Sequence, residues 1–416
     1  MNRTDEHRSG RTRRSWWALP VSLTAAALTL AACSSSSSSS TTTTSASASG
    51  SSSSSGAAVS ATSFTRDFST MASLKSVAAK GKGNITVILP DTVTSARYTE
   101  FDAPYLTKAF ETAGLSSSQF TVENAQGSDS TQLTDAQTAI TNNASVLVVD
   151  PLDSGVGAQI ETYAKAHGVP VIDYDRLTLG GSRSYYVSFN NVQVGKLIGQ
   201  GLVSCVAAWH VTKPNVLVMR GAPTDNNATL FAQGYDGVLA SYFSSGKWVK
   251  AGQPAGTWTP TVAETEFQQA YTADPKINAA LVPNDENAAP IITYLKSLHI
   301  QPKTFPITGQ DATLQGLQNI LSGYQCGTAY KPIYLEAQAA AALALYLRAG
   351  EKPPAGLVNG TTTDTVSHTQ VPSVLLTPEW VTPANMASTV IKDNFVPASQ
   401  LCTGLTAACT AAGIKA

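Results

Sequence analysis

Short apolar runs alternate with longer amphipathic stretches along most of the chain. Ile85–Leu89, Phe120–Glu123, Val146–Val149, Val169–Ile172 and Tyr185–Val187 read as strands, each a compact apolar run bounded by polar, Gly or Pro residues. Between them, Ala103–Ala113, Thr131–Thr141 and Gly157–His167 carry helical spacing. A second series opens with the amphipathic helix Val192–Ala208. Its strands are Val216–Met219, Trp248–Ala251, Ala279–Val282, Phe305–Thr308 and Gly327–Tyr330; its helices lie near Ala228–Phe243, Val262–Thr272, Ala288–Leu298 and Thr313–Ile320. Short strands separated by helices require parallel sheets covered on both faces. Two such series predict an α/β protein of two doubly wound parallel-sheet lobes, with a ligand cleft between their facing carboxyl edges. The Ala-rich helix Pro332–Arg348 is expected to return to the first lobe, so that the chain crosses more than once. The domains then read as 64–188 plus about 331–370 for the N-terminal lobe, and 189–330 plus about 371–416 for the second lobe and tail.

The beginning of the chain follows a different pattern. Arg3, Arg8, Arg11, Arg13 and Arg14 precede an apolar stretch from Trp16 to Leu30, too short for a comfortable membrane span, so residues 1–32 read as a signal peptide. The stretch ends in Leu30-Ala31-Ala32-Cys33, which resembles the lipobox of bacterial lipoproteins and implies cleavage before Cys33 and lipidation of its thiol. Residues 34–63 contain only Ser, Thr, Ala, Gly and one Val, a composition that builds no core and reads as a flexible tether. The expected place is the outer face of the cytoplasmic membrane, or a periplasm.

Charge narrows the function. Charged residues are 13% of the chain and the net charge is −1; removing residues 1–32 leaves 22 basic against 26 acidic residues, a net −4. Such a surface assembles no basic face for nucleic acid. Four cysteines remain after Cys33, namely Cys205, Cys326, Cys402 and Cys409, an even number that outside the cytoplasm suggests two disulfides among three possible pairings. Cys402–Cys409 would close a short loop and leave Cys205–Cys326 for the body. No cysteine or histidine spacing marks a metal site, and nothing calls for a cofactor. Nor is there a GxSxG elbow or an HExxH helix, so the chain does not read as an enzyme.

The most informative stretch is Asn215–Leu239, in which a strand, the turn Gly221-Ala222-Pro223-Thr224-Asp225 and a helix opening at Asn226-Asn227 form one α/β unit. Its polar loop sits where α/β units bind ligands, although short polar residues there also cap helices.

This segment, with Val171-Ile172-Asp173-Tyr174-Asp175-Arg176, Thr308-Gly309-Gln310-Asp311-Ala312, Tyr330-Lys331-Pro332-Ile333 and the tail Val371–Pro378, resembles the type I periplasmic sugar-binding proteins, above all their xylose-binding branch. The resemblance covers roughly Asn84 to Phe395. It implies a monomeric two-lobe receptor that closes on a monosaccharide, D-xylose or a similar aldopyranose, and delivers it to an ABC permease. A sensor that presents its sugar or autoinducer to a receptor is the alternative.

Position by position, the resemblance implies a sugar site of Arg97 and Tyr98 after the first strand, Asp175 and Arg176, Asn227, Trp258, Asn284 and Asp285, Asp311, and Lys331. Tyr98 stands where a tryptophan is usual. These residue types suit a pyranose: Tyr98 and Trp258 offer rings for its C–H faces, the aspartates accept from hydroxyls, and Arg, Lys and Asn donate. A phosphate site would need a Gly-rich loop and excess basic charge, and neither is visible. The hinge is expected near Ser188–Asn190, Tyr330–Lys331 and Thr369–Val371.

Overall fold

The computed structural model describes residues 59–415. The expected signal segment, Cys33 and most of the tether lie outside the described residues. Packing begins earlier than the boundary read at Phe64: Val59 and Ala61 are buried in the core, and the Ala61 N–H donates to the Gly356 carbonyl at 3.0 Å. Two apolar residues at the end of a polar tract are enough to hold it down.

The first lobe runs α1 (Ser69–Ala72), α2 (Lys75–Lys80), β1 (Asn84–Leu89), a π-helical turn (Tyr98–Asp102) continuing into α3 (Ala103–Thr112), β2 (Phe120–Asn124), α4 (Asp129–Thr141), β3 (Ala144–Val149), α5 (Ser154–Ala166), β4 (Val171–Tyr174) and β5 (Tyr185–Phe189). Alternation along the strands divides their side chains between two layers. Ile85, Val87, Leu89, Val146 and Val148 join the core under α3, while Ile88, Leu147 and Val149 pack with Ala136, Ile140, Val156 and Ile160 of α4 and α5.

The second lobe runs α6 (Asn191–Ala208), β6 (Asn215–Val218), α7 (Asn226–Ser244), β7 (Val249–Gly252), α8 (Pro260–Ala273), β8 (Ala279–Leu281), α9 (Asp285–Ser297), α10 (Leu314–Leu321) and β9 (Thr328–Tyr330). It shows the same division: Val216, Val218 and Leu281 face α6 and α7, whereas Leu217, Met219 and Val282 face Phe267 of α8 and Ile291 of α9. The strand expected at Phe305–Thr308 is reduced to bridges from Ile307 to Ala280 and from Gln310 to Ala329. The Thr308 hydroxyl takes its place in the ladder, accepting from the Val282 N–H and donating to the Val282 carbonyl.

α11 (Ile333–Arg348) packs on α2, α3 and β3 of the first lobe; β10 (Gly360–Asp364) and β11 (Thr369–Leu376) follow, then β12 (Glu379–Val381), α12 (Ala398–Leu401) and α13 (Thr406–Ala411). The first-lobe sheet has the order β10-β11-β5-β4-β3-β1-β2, parallel except for the β10–β11 pair, and in the second lobe β7-β6-β8 are parallel while β12 pairs antiparallel with β9. β11 runs beside β5 from Ser373↔Tyr186 to Leu376↔Phe189, and the Asn190 N–H then donates to the Leu376 carbonyl. The third crossing therefore follows Leu376. The expected Thr369–Val371 is too early because that run is still paired in the first sheet. The segment from about 371 to 376 accordingly belongs to the first lobe.

Disulfides join Cys205 to Cys326 and Cys402 to Cys409. The first ties the end of α6 to the approach of β9. Among the described residues no helix is long and apolar enough to cross a membrane.

α6 and α7 cross at backbone contact. A Cβ on Gly195 would meet the Phe231 carbonyl, and one on Gly234 the Val192 carbonyl. Because backbone cannot swing aside, Gly195→Ala or Gly234→Ala should each cost about 1–3 kcal/mol. Thermal melting reads this as a fall of several degrees; unchanged melting in both variants would show that the helices have slack.

Candidate functional site

Loops that leave the carboxyl edges of strands in both lobes converge on one cavity between them, the place where α/β folds bind small molecules. Nine of the ten residues singled out from the sequence line it: Arg97, Tyr98, Asp175, Arg176, Asn227, Trp258, Asn284, Asp311 and Lys331. Asp285 does not. It follows the helix cap Asn284 into α9, and one residue of helical rotation turns its carboxylate inward. There it accepts from Gln325 (2.7 Å), the Thr313 N–H (2.9 Å) and Thr328 (3.1 Å), clamping the start of α9 to α10 and β9. The geometry assigns Asp285 to the fold.

Arg97 is a buried hub. Its Nε and Nη2 donate to both oxygens of Asp102 (2.9 and 2.8 Å), Nη2 also to Glu336 (2.7 Å) and Nη1 to Asp175 (2.8 Å). The residue expected in a loop in fact begins the π-helical turn, so its fork lies along Asp102 one turn on. Tyr98 is buried between the guanidinium groups of Arg97 and Arg176, 5.7 and 5.8 Å from its ring centre, and its hydroxyl accepts from Arg176 Nη2 at 2.8 Å. Arg176 is further fixed by the carbonyls of Pro151 and Leu152.

From the second lobe, Asp225 caps α7 through Oδ1, which accepts from the Asn227 N–H. Its Oδ2 accepts from Trp258 Nε1 at 2.9 Å and lies 3.4 Å from Arg176 Nε. The Trp258 ring lies so close over Gly221 that no side chain fits there, and it meets Phe231 edge-on. Asn227 donates to the Asp175 carbonyl (3.0 Å), and Lys331, at the second crossing, pairs with Asp311 (3.0 Å).

Two of these residues hold uncommon backbone: Asp175 has φ 56° and Asp311 φ 87°. Left-handed conformations in residues other than glycine collect at functional sites. At Asp175 the consequence is visible, because its turned-out carbonyl accepts from Tyr186, Ser188 and Asn227 together.

Counting the buried groups behind the lining, carboxyls outnumber the cations. Burial alone would raise Asp175, but Arg97, Lys331 and Arg176 outweigh it and hold its carboxyl below the usual value. Burial prevails elsewhere, raising Asp225 and Asp150 against the pull of Arg176, and Glu336 to about 8 despite Arg97. Burial and the nearby Asp311 push Glu286 up to about 7. Among the described residues, both Asp150 carboxylate oxygens and Oε1 of Gln310 have no hydrogen-bond partner. The lining itself sets three carboxyls (Asp175, Asp225, Asp311) against three cations (Arg97, Arg176, Lys331), a balance of acceptors and donors suited to a neutral hydroxylated molecule.

Asp225, Gln310, Thr94, Ser95 and Phe231 also line the cavity without having been placed in the site from sequence. Asp225 and Gln310 sat inside the quoted motifs and were legible there. Glu336 had one signal, a lone acid in the apolar helix Ile333–Arg348.

Residues 85–352 match the periplasmic binding protein domain family. The chain is 37% identical over 282 residues to the D-xylose-binding periplasmic protein of Escherichia coli, covering 67% of this chain and 82% of that one. It is 30% identical to the multiple sugar-binding periplasmic receptor of Rhizobium radiobacter, over 78% and 93% of the two chains. Among solved structures it resembles an ABC transporter solute-binding protein from Clostridium phytofermentans with bound β-D-glucose, with a TM-score of 0.67, 25% identity and coverage of 76% and 99%.

The raised acids set a pH dependence. A carboxyl whose pKa is higher folded than unfolded binds its proton more tightly in the folded state, so its contribution fades as pH rises through that range. With Glu336 at about 8 and Glu286 at about 7, stability should decline from pH 5 to pH 8. Asp364, held at about 2 by hydrogen bonds and Arg183 against burial, removes stability only in strong acid. Melting temperature against pH checks this, and Glu336→Gln should flatten the decline; a rise toward pH 8 would contradict the assignment.

Proposed function

This chain belongs to the periplasmic binding protein domain family, and from that membership we propose that it captures a neutral monosaccharide outside the cytoplasm, D-xylose or a similar aldopyranose, and hands it to an ABC-type import permease. It is a binding protein and not an enzyme. The observation that carries the reading is the cleft itself. Trp258 and Tyr98 lie among hydroxyl acceptors (Asp175, Asp225, Asp311) and donors (Arg176, Asn227, Lys331), contributed by both lobes and the crossing between them. The names of the relatives support a sugar, and the 37% identity to a D-xylose-binding protein favours that pentose.

The sugar would bridge the lobes. A ligand bound from both sides favours the closed arrangement by its differential affinity for it, with the three crossings at Asn190, Lys331 and Leu376 serving as the hinge. In the proposed cellular setting Cys33 carries the lipid anchor, residues 34–58 give reach, and the folded part acts as a monomer.

Calorimetric titration of residues 59–416 with xylose, glucose, ribose, arabinose and galactose tests this. One of them should bind with micromolar or tighter affinity. Arg176→Ala and Asp311→Ala should each weaken it at least tenfold, since a charge-assisted bond contributes about 1.5–3 kcal/mol and about 1.4 kcal/mol is a factor of ten. Trp258→Ala should do likewise. Silence with all five sugars would overturn the reading.

A further inference from the structure

One contact across the cleft is made by a side chain outside the lining of the cavity. Glu286, the second residue of α9, belongs to the second lobe. Its Oε1 accepts from Ser95 Oγ at 2.9 Å and from the Ala96 N–H at 3.2 Å, both in the first lobe, while Oε2 accepts from Asn284 Nδ2 at 3.1 Å. Ala96 opens the helical turn that leads into α3: its carbonyl accepts from the Glu100 N–H. The N–H groups at a helix start have no partner within the helix, and no side chain at the N-cap Arg97 supplies one. Glu286 supplies it from the opposite lobe through an acceptor oxygen, and its ionised form adds a negative charge at the end of the helix that favours one.

The position of this contact sets it apart from the other interlobe bonds. Arg176–Asp225, Asn227–Asp175 and Lys331–Asp311 join residues that line the cavity, where a ligand competes for the same atoms. Glu286 and the Ala96 N–H stand outside the lining, with Ser95 at its edge, and the turn that Glu286 caps carries Arg97 and Tyr98. We propose that Glu286 is an interlobe latch: closing the cleft completes the cap on Ser95 and Ala96, which holds the lobes together and fixes the helical turn that presents Arg97 and Tyr98. Glu286 is then a positioning residue, and the inference rests on the reading of the chain as a two-lobe sugar receptor. Because the bond is made only in the closed state, it acts chiefly on reopening, and so on the rate at which sugar leaves.

Stopped-flow binding of the sugar selected by calorimetry provides the test. Glu286→Ala should raise the off-rate about tenfold with little change in the on-rate, and Glu286→Gln, which keeps an acceptor oxygen, should fall between. Ser95→Ala should have a smaller effect, since the Ala96 N–H remains, and in the double variant its effect should largely vanish. An off-rate unchanged by Glu286→Ala, or effects of the two substitutions that simply add, would overturn the latch. A ligand-free melting temperature near that of wild type separates it from a folding defect; if the Ala variant does not fold, Glu286→Gln and Ser95→Ala decide by the same criteria. Should wild type bind none of the sugars, the receptor reading fails, and small-angle scattering of the ligand-free chain judges the latch: Glu286→Ala should increase the radius of gyration, and equal radii would overturn it.

Discussion

A single guanidinium organises the first lobe. Arg97 is shared by Asp102 of its own helical segment, Asp175 of the loop after β4, and Glu336 of α11, with all four side chains almost fully buried. Removing one partner from such a cluster leaves an uncompensated charge inside the protein, at a cost of about 3–5 kcal/mol. The interaction therefore constrains topology as well as stability. α11 begins just after the second crossing, and only by lying against α3 can it bring Glu336 to Arg97. The same contacts build the floor of the cleft, because Asp175 presents its carbonyl to the second lobe while its carboxylate is held by Arg97.

Stability and recognition are thus drawn from the same atoms. Three acids around one guanidinium exceed what it can neutralise, and burial resolves the excess by keeping a proton on Glu336. Asp175 remains the ionised partner because Lys331 and Arg176 also face it. The left-handed backbone at Asp175 and Asp311 belongs to this economy: an aspartate tolerates that conformation better than most residues, and here it turns both carboxylates toward Lys331, at 3.9 and 3.0 Å.

Much of this was legible in the sequence, for definite reasons. Strands buried on both faces write themselves as short apolar runs, so Ile85–Leu89 and Val216–Met219 stood out, and the rule placing ligands at carboxyl edges then led to the correct loops. Failures occurred where direction rather than position mattered. Asn284 and Asp285 are adjacent, yet helical rotation sends one to the cleft and the other into the core. Thr308 reads as strand, and its hydroxyl mimics one. The third crossing was misplaced because Thr369–Val371 and Val374–Leu376 are equally extended, and only pairing with β5 decides where the chain leaves the sheet. Glu336 carried little signal, since its partner Arg97 lies far along the chain.

The balance of charge finally constrains what kind of molecule can complete the cleft. An anionic ligand would upset the match of Asp175, Asp225 and Asp311 with Arg97, Arg176 and Lys331, and a cation would have to displace Arg176 and Lys331 from their present partners. A neutral polyol disturbs neither balance. Its hydroxyls donate to carboxylates and accept from Arg, Lys and Asn at once, so it can replace interlobe bonds such as Arg176–Asp225 one for one. Under the proposed function, closure around such a ligand costs little electrostatically, and the choice among sugars would fall to shape, set by Trp258 and the turn that bears Tyr98.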